Sequence, residues 1–150
     1  MNASDLAFWL REEHVELAQS VAKLHEKTAT LPRINEQRWL DELRKEFDHF
    51  RDHMNNHQAL EERDGYMVQV VEQQPALSHE VMRMAHEHFE ISKLMDGIRD
   101  HLEDLTPHDR LMIRDCCQRI HSLLQYIEYH EKNEDLLVTS LFGRDLGTAD

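Results

Sequence analysis

The sequence predicts an all-α protein, an antiparallel up-down-up-down four-helix bundle built from two copies of one helix pair. Its 150 residues include only four glycines and three prolines, and four long segments carry apolar residues at helical spacing. The two copies appear as a repeated motif, because His57–Glu61 and His130–Glu134 are both His-x-x-x-Glu. Upstream of these motifs, Glu13–His14 and Glu87–His88 are followed by apolar residues at the same offsets.

The first predicted helix covers 4–28, with Ser4 as a favourable N-cap. After a loop that contains Pro32, the second predicted helix covers 35–64, and Gly65 is its expected C-cap. The inward stripes of these helices are Leu6, Leu10, His14, Leu17, Val21 and Leu24, and then Leu43, Phe47, Phe50, Met54, His57 and Glu61.

The segment 66–74 has no clear pattern and is expected to continue, if helical, as a bent piece. The third predicted helix begins at Pro75, a residue that suits a first helical turn. The fourth covers 106–140, with Thr106 as N-cap, a proline at the next position and Asp109 in the first turn, and Gly143 follows its end. Their inward stripes are Leu77, Val81, Met84, His88, Ile91, Met95, Ile98 and Leu102, and then Ile113, Ile120, Leu124, Ile127, His130, Glu134 and Val138.

The length and the helix pattern predict one domain over 1–142 and a polar tail over 143–150. A net charge of −13 opposes nucleic-acid phosphates and anionic lipids, so neither is an expected partner. The sequence offers no apolar stretch long enough to span a bilayer and no signal peptide, which predicts a cytoplasmic protein. The adjacent Cys116 and Cys117 are expected to be packing residues.

Six polar residues fall on the apolar stripes, and they are His14, His57, Glu61, His88, His130 and Glu134. A buried carboxylate costs several kcal/mol unless it is paired or bound to a metal ion. On a helix, residues four apart lie on one face, so each His-x-x-x-Glu directs an imidazole and a carboxylate to the same place. Four imidazoles and two carboxylates from four helices therefore predict a two-metal site.

Three residues compete with this set. His53 lies one turn before His57, where the second copy has Tyr126, and it is either an extra ligand or an outer or surface residue. His86 lies about 200° around the helix from His88 and is expected to face solvent. Asp135 competes with its neighbour Glu134, which the repeat favours. The remaining histidines lie off the stripes and are expected to be solvated: His25, His49, His79, His101, His108 and His121.

The segments EEHVEL, HQALEE, HEHFEISKL and HEKNED resemble the hemerythrin-like (HHE cation-binding) domain family, over a range from His14 to Asp135. The resemblance implies two iron ions joined by an oxo or hydroxo group and bridged by both glutamates. It implies one iron bound by His14, His57 and Glu61, and the other by His88, His130 and Glu134. Imidazole and carboxylate suit manganese and zinc as well, so iron depends partly on the resemblance.

The chain departs from the oxygen carriers of that family, which have His-x-x-x-His on the third helix and His-x-x-x-x-Asp on the fourth. Met84 and Ser92 stand one turn from His88, so a fifth imidazole is missing there, whereas Asp135 has the carrier spacing from His130. Without that imidazole a metal ion would have an open coordination position. This weakens the interpretation as a reversible oxygen carrier and favours a protein that binds, senses or scavenges O2, peroxide or nitric oxide.

Two alternatives to a binding protein are an iron- or redox-sensing interaction module and an enzyme that donates iron for repair or acts as a peroxidase. The enzyme is the less favoured of the interpretations. It would need a proton donor, for which Tyr126 and Tyr129 are the nearest candidates, and the alternative is that both are packing residues. The sequence does not identify a protein partner.

Overall fold

The structure is a computed structural model that describes residues 3–63 and 65–140. Within those residues the chain is helical and contains no strand, which confirms the all-α prediction. Its elements are α1 (Ala3–Ala29), α2 (Glu36–Arg63), α3 (Tyr66–Gln73), a 3-10 turn (Pro75–Leu77), α4 (Ser78–Asp104) and α5 (Arg110–Val138). The four long helices pack together, with α1 and α4 each contacting both α2 and α5. No helix in these ranges has the length and apolar character needed to cross a membrane.

The ends of α1 and α2 lie close to the predicted positions. The connection between them ends at Asn35, whose φ of 53° is in the left-handed region that asparagine tolerates. The Asn35 carbonyl then accepts from Trp39 N–H at 3.0 Å and begins α2. The predicted capping role of the Ser4 side chain lies outside the residues whose side chains are described.

The predicted start of the fourth helix at Thr106 is wrong. Residues 106–109 form a turn, and α5 begins at Arg110 because Asp109 is the capping residue. Its carboxylate accepts from the Met112 backbone N–H at 3.3 Å and satisfies one of the unpaired donors of the first turn. The predicted end at Gly143 and the tail over 143–150 lie outside the described residues.

The segment 66–74 forms a separate short helix, α3, and α4 begins at Ser78 after a 3-10 turn that contains Pro75. Gly65 does not take the left-handed conformation of the expected C-cap, since its φ is −96°. It is required for space instead. A Cβ there would lie 2.7 Å from Glu61 Cα and 2.9 Å from the Leu60 carbonyl oxygen. This tight turn brings Tyr66 back against the bundle.

The core has two apolar parts with a polar layer between them. The larger part includes Leu17, Phe50, Met95 and Ile120, and the smaller part, near the ends of α1 and α5, includes Leu6, Leu10, Tyr66, Met84 and Val138. Along α1, α4 and α5 the inward histidine lies between residues of the two parts, and along α2 His57 follows Met54 of the larger part. Both Cys116 and Cys117 are free and buried, as expected of packing residues.

Candidate metal centre

The six inward polar residues meet in this layer, and all of them are buried. One ligand atom from each of His14, His57, Glu61 and Glu134 lies within 4.8 Å of the others. A second group satisfies the same limit and consists of His88, His130 and Glu134. Glu134 therefore belongs to both groups, and the layer contains two adjoining sets of potential metal ligands.

Helical spacing places each carboxylate beside the histidine one turn before it. His57 Nε2 lies 2.9 Å from Glu61 Oε1, and His130 Nε2 lies 3.1 Å from Glu134 Oε1. The carboxylates also face histidines across the bundle. His88 Nε2 lies 3.5 Å from Glu61 Oε1 and 3.4 Å from Glu134 Oε2. His14 Nε2 lies 3.6 Å from Glu134 Oε1. Both glutamates thus lie between imidazoles of the two repeats.

The other ring nitrogen of each histidine faces an acidic side chain outside the layer. The Nδ1-to-oxygen distances are 2.8 Å for His14 and Asp135, 3.5 Å for His57 and Glu13, 3.0 Å for His88 and Glu62, and 2.7 Å for His130 and Glu87. In the pairs of His14, His88 and His130 the carboxylate can accept from Nδ1–H, which fixes the tautomer and leaves the Nε2 lone pair for a metal ion, whereas His57 Nδ1 makes no hydrogen bond within the described residues. All four Nε2 atoms point into the layer.

These outer acids connect the four long helices in a closed ring. Helix α1 provides the acid for the histidine of α2, α2 for α4, α4 for α5, and α5 for α1. Each outer acid is adjacent in sequence to an inward residue, in the pairs Glu13-His14, Glu61-Glu62, Glu87-His88 and Glu134-Asp135. In each long helix, one residue of the pair therefore points into the layer and the other contacts the histidine of a neighbouring helix.

Most inward atoms of the layer lack hydrogen bonds. All four Nε2 atoms, both Glu61 oxygens and Glu134 Oε1 are buried and have no hydrogen-bond partner among the described residues. The imidazoles 2.9 and 3.1 Å from these carboxylates are not oriented to form hydrogen bonds with them, although buried polar atoms are normally satisfied. Metal cations that imidazole and carboxylate ligands hold, such as iron, manganese or zinc, would satisfy these atoms. The residues present therefore fit a metal centre.

Burial and neighbouring charges shift the pKa values of the layer in opposite directions. Burial, reinforced by Glu134, holds the pKa of Glu61 well above its usual range. Burial acts in the same direction on Glu134, but the facing imidazoles outweigh it and hold the pKa of Glu134 well below normal. Burial lowers the pKa of His57 to about 3. For His14, Asp135 and Glu134 overcome burial and raise the pKa to about 10. Protons thus compete with cations for the layer.

Tyr66 contacts the layer, although no pattern in the sequence predicted this contact. Its hydroxyl donates to Glu134 Oε2 at 2.5 Å, and its side chain is fully buried. Burial, with the nearby Glu134 and Glu61, raises the pKa of Tyr66 well above normal, so the phenol keeps its proton. The expected phenols are misplaced, because Tyr129 is 61% exposed and Tyr126 packs against the larger core part. In the sequence, the position of Gly65 and Tyr66 directly after the His57–Glu61 motif was the feature that could have indicated a tyrosine near the layer.

The three competing residues lie outside both buried ligand groups. His86 is exposed, 3.8 Å from Glu90, and does not enter the layer. Asp135 lies behind His14, and His53 lies near the surface, 3.7 Å from Glu13.

The prediction that the six remaining histidines are solvated is wrong for His25, His101 and His121, which are half-buried. His121 is half-buried because it stacks on His25 and its Nε2 lies 2.6 Å from Thr28 Oγ1. His101 is also half-buried, and both of its ring nitrogens are inaccessible to solvent.

A cavity of about 400 Å³ lies beside Ser92, one turn from His88. It opens between α2 and α4, and its lining includes Gln58, Glu62, His88 and Ser92. The Ser92 hydroxyl lies 3.2 Å from Gln58 Oε1, while Gln58 Nε2 is buried and has no hydrogen-bond partner in the described ranges. Small molecules can therefore approach the His88 side of the layer.

The chain matches no family model, and no significant match to it is found among curated proteins or solved structures. The class that the fold and the site define is accordingly a helical protein with a buried His/Glu cluster able to hold metal ions.

Proposed function

We propose that this chain is a non-haem di-iron protein of hemerythrin-like type that binds O2, peroxide or nitric oxide and acts as a binding, sensing or scavenging protein. The observation that carries the proposal is the pair of buried His/Glu groups that share Glu134. A mononuclear site would need only half of these ligands. The ring of outer acids supports the proposal, because metal-binding histidines usually donate their second N–H to such a partner.

In this proposal His14, His57 and Glu61 would hold one ion, His88 and His130 would hold the other, and Glu134 would be available to both because it belongs to both groups. Glu61 also faces His88, and this contact supports the proposal that Glu61, like Glu134, would bridge the two ions. The proposed topology is an antiparallel up-down-up-down bundle. It is supported by the contact between His14, in the first half of α1, and residues near the ends of α2 and α5.

Iron is proposed over manganese and zinc because the motifs resemble the hemerythrin-like family. When bound, iron would supply reversible electron transfer and affinity for small diatomic ligands. The chain orients the ligand atoms through its outer acids and excludes bulk water with apolar residues on both sides of the layer. The cavity beside Ser92 supports access for a small ligand, and the unpartnered Gln58 amide supplies a donor at that side.

Metal content and optical spectra test the proposal directly. Protein purified in air is expected to contain two irons per chain and to absorb in the oxo-to-iron region. The spectrum should change when the protein is reduced and then exposed to O2 or nitric oxide. Protein that contains one zinc ion and lacks the absorption would contradict the proposal, whereas His86→Ala should behave as wild type because His86 is exposed.

A second candidate function, a peroxidase-like enzyme, is favoured by the Tyr66 hydroxyl. It is a protonated phenol within hydrogen-bond distance of Glu134. If the protein is such an enzyme, iron-loaded wild type should consume peroxide catalytically, and Tyr66→Phe should reduce turnover without reducing metal content. Absence of peroxide turnover in the wild type would contradict the enzyme function, and only the binding function would remain.

A further inference from the structure

A second group of potential ligands lies outside the buried layer, between α1 and α2. Glu13, Glu16 and His53 each offer one ligand atom within 4.8 Å of the other two. The group is accessible, since the Glu13 and His53 side chains are 22% and 25% exposed and Glu16 is exposed. One imidazole and two carboxylates form a donor set suited to divalent transition metals.

Glu13 connects this surface group to the buried layer through a single oxygen. Its Oε2 lies 3.7 Å from His53 Nε2 on the outer side and 3.5 Å from His57 Nδ1 on the inner side. His57 is 2% exposed, and its Nδ1 is buried without a hydrogen-bond partner in the described part of the chain. A polar atom of the buried layer therefore faces the surface group directly.

The second repeat provides a natural comparison. Glu87, Glu90 and Tyr126 occupy the positions that correspond to Glu13, Glu16 and His53. Tyr126 lies near both of those glutamates, which, after burial, raise the pKa of its phenol.

In the second repeat the outer acid engages its histidine fully, because Glu87 Oε1 lies 2.7 Å from His130 Nδ1. In the first repeat the corresponding acid, Glu13, stands between His53 and His57 at longer distances from each. The first repeat thus has His53 where the second has Tyr126, and its outer acid, Glu13, faces both the surface and the buried layer.

We propose that Glu13, Glu16 and His53 form a surface binding site for a divalent transition-metal cation, which then passes by way of Glu13 to His57 and the buried centre. The transfer rests on the proposed di-iron function, whereas the surface site does not. Once the ion has moved inwards, Glu13 accepts from the His57 Nδ1–H, as Glu87 does from His130. The net charge of −13 favours the arrival of cations at such a site.

The test uses metal-free full-length protein and Co²⁺ as a spectroscopic probe. His53→Tyr installs the residue of the second repeat. It is expected to slow the filling of the buried centre by about tenfold or more, the lower end of the gain that local charge gives to association rates. Its final metal content should equal that of wild type. His86→Tyr is the matched control, because His86 is an exposed histidine beside a glutamate but lies outside the group, and it should load at the wild-type rate.

A second set of variants separates the surface site from the centre. The double variant Glu61→Gln, Glu134→Gln should still bind one Co²⁺, and adding His53→Tyr should abolish that binding. Tyr126→His should add a surface ion in the second repeat.

The proposal is overturned if His53→Tyr loads at the wild-type rate, and equally if it lowers the final metal content of the buried centre. Failure of the di-iron function gives a different result, in which wild type and the double variant both bind a single Co²⁺ that His53→Tyr removes.

Discussion

The Tyr66 hydroxyl donates a hydrogen bond to Oε2 of Glu134, the carboxylate common to both buried ligand groups. The two residues come from separate elements, α3 and α5, and the tight turn at Gly65 brings them together. A short helix that sequence patterns did not define therefore closes one side of the polar layer. Its phenol restrains the orientation of Glu134.

Tyr66→Phe should lower the stability of the metal-free protein, because Glu134 Oε2 then loses its donor in a buried site. Loss of a hydrogen bond to a charged group costs about 1.5–3 kcal/mol, which urea unfolding can measure. Metal content should be retained, since the four imidazoles and two carboxylates of the layer are all still present in this variant. A variant as stable as wild type would mean that the hydrogen bond contributes nothing to the layer.

Removal of metal should lower the melting temperature. Without a cation the layer keeps unsatisfied imidazoles and two facing carboxylates, which a bound ion would satisfy. Each bound ion at a hundred times its Kd adds about 2.7 kcal/mol, which for a domain of this size raises the melting temperature by roughly 5–10 °C per ion. Calorimetry with and without chelator measures the difference, and equal melting temperatures would contradict a buried metal centre.

Substitutions within and beside the layer should separate ligands from neighbours. Glu61→Ala or Glu134→Ala should remove at least one metal ion per chain, because each carboxylate faces imidazoles from both repeats. His88→Ala should weaken binding, whereas His86→Ala should leave metal content unchanged. Elemental analysis after desalting measures these outcomes. The reverse result for the two histidines would show that the inward face of α4 has been misassigned.

The outer acids should affect the affinity for metal ions but not the number of ions that bind. Asp135→Asn leaves His14 without its charged partner and is expected to weaken metal binding by about 10- to 100-fold. Two ions should still bind at saturation, in contrast to Glu134→Ala. Competition with a chelator measures the affinity, and Glu128→Gln, an exposed acid on the same helix, is the control. Loss of an entire ion from Asp135→Asn would make Asp135 a ligand.

Two glycines should respond oppositely to alanine. Gly97 lies within α4 with no atom within 4 Å of an added Cβ, so Gly97→Ala should stabilise the fold by about 0.5–1 kcal/mol through helix propensity. Gly65→Ala should destabilise it, because the new Cβ would contact the backbone of Glu61 at 2.7 Å. Denaturant unfolding of both variants provides the comparison, and a stabilised Gly65→Ala would show that the turn can relax without cost.

The sequence alone determined the helical class and six of the nine polar residues that are buried in the described ranges, but not Thr28, Gln58 and Glu131. Both follow from spacing within one helix, since the 3.6-residue period decides which face His57 and Glu61 share with the apolar stripe. It also indicated that Cys116 and Cys117 pack and that His86 points away. These are local properties, so a single chain segment carries enough information to predict them.

Only the tertiary structure decided which atoms meet across helices. The outer acids, the position of Tyr66 and the different places of Glu134 and Asp135 depend on how neighbouring helices pack and rotate. Adjacent residues on a helix differ by about 100°, so either acid of a dipeptide can face inwards until a neighbouring helix fixes the rotation. The start of α5 at Arg110 likewise depended on which of two nearby polar residues bonded the backbone, a choice made by three-dimensional geometry rather than by residue type.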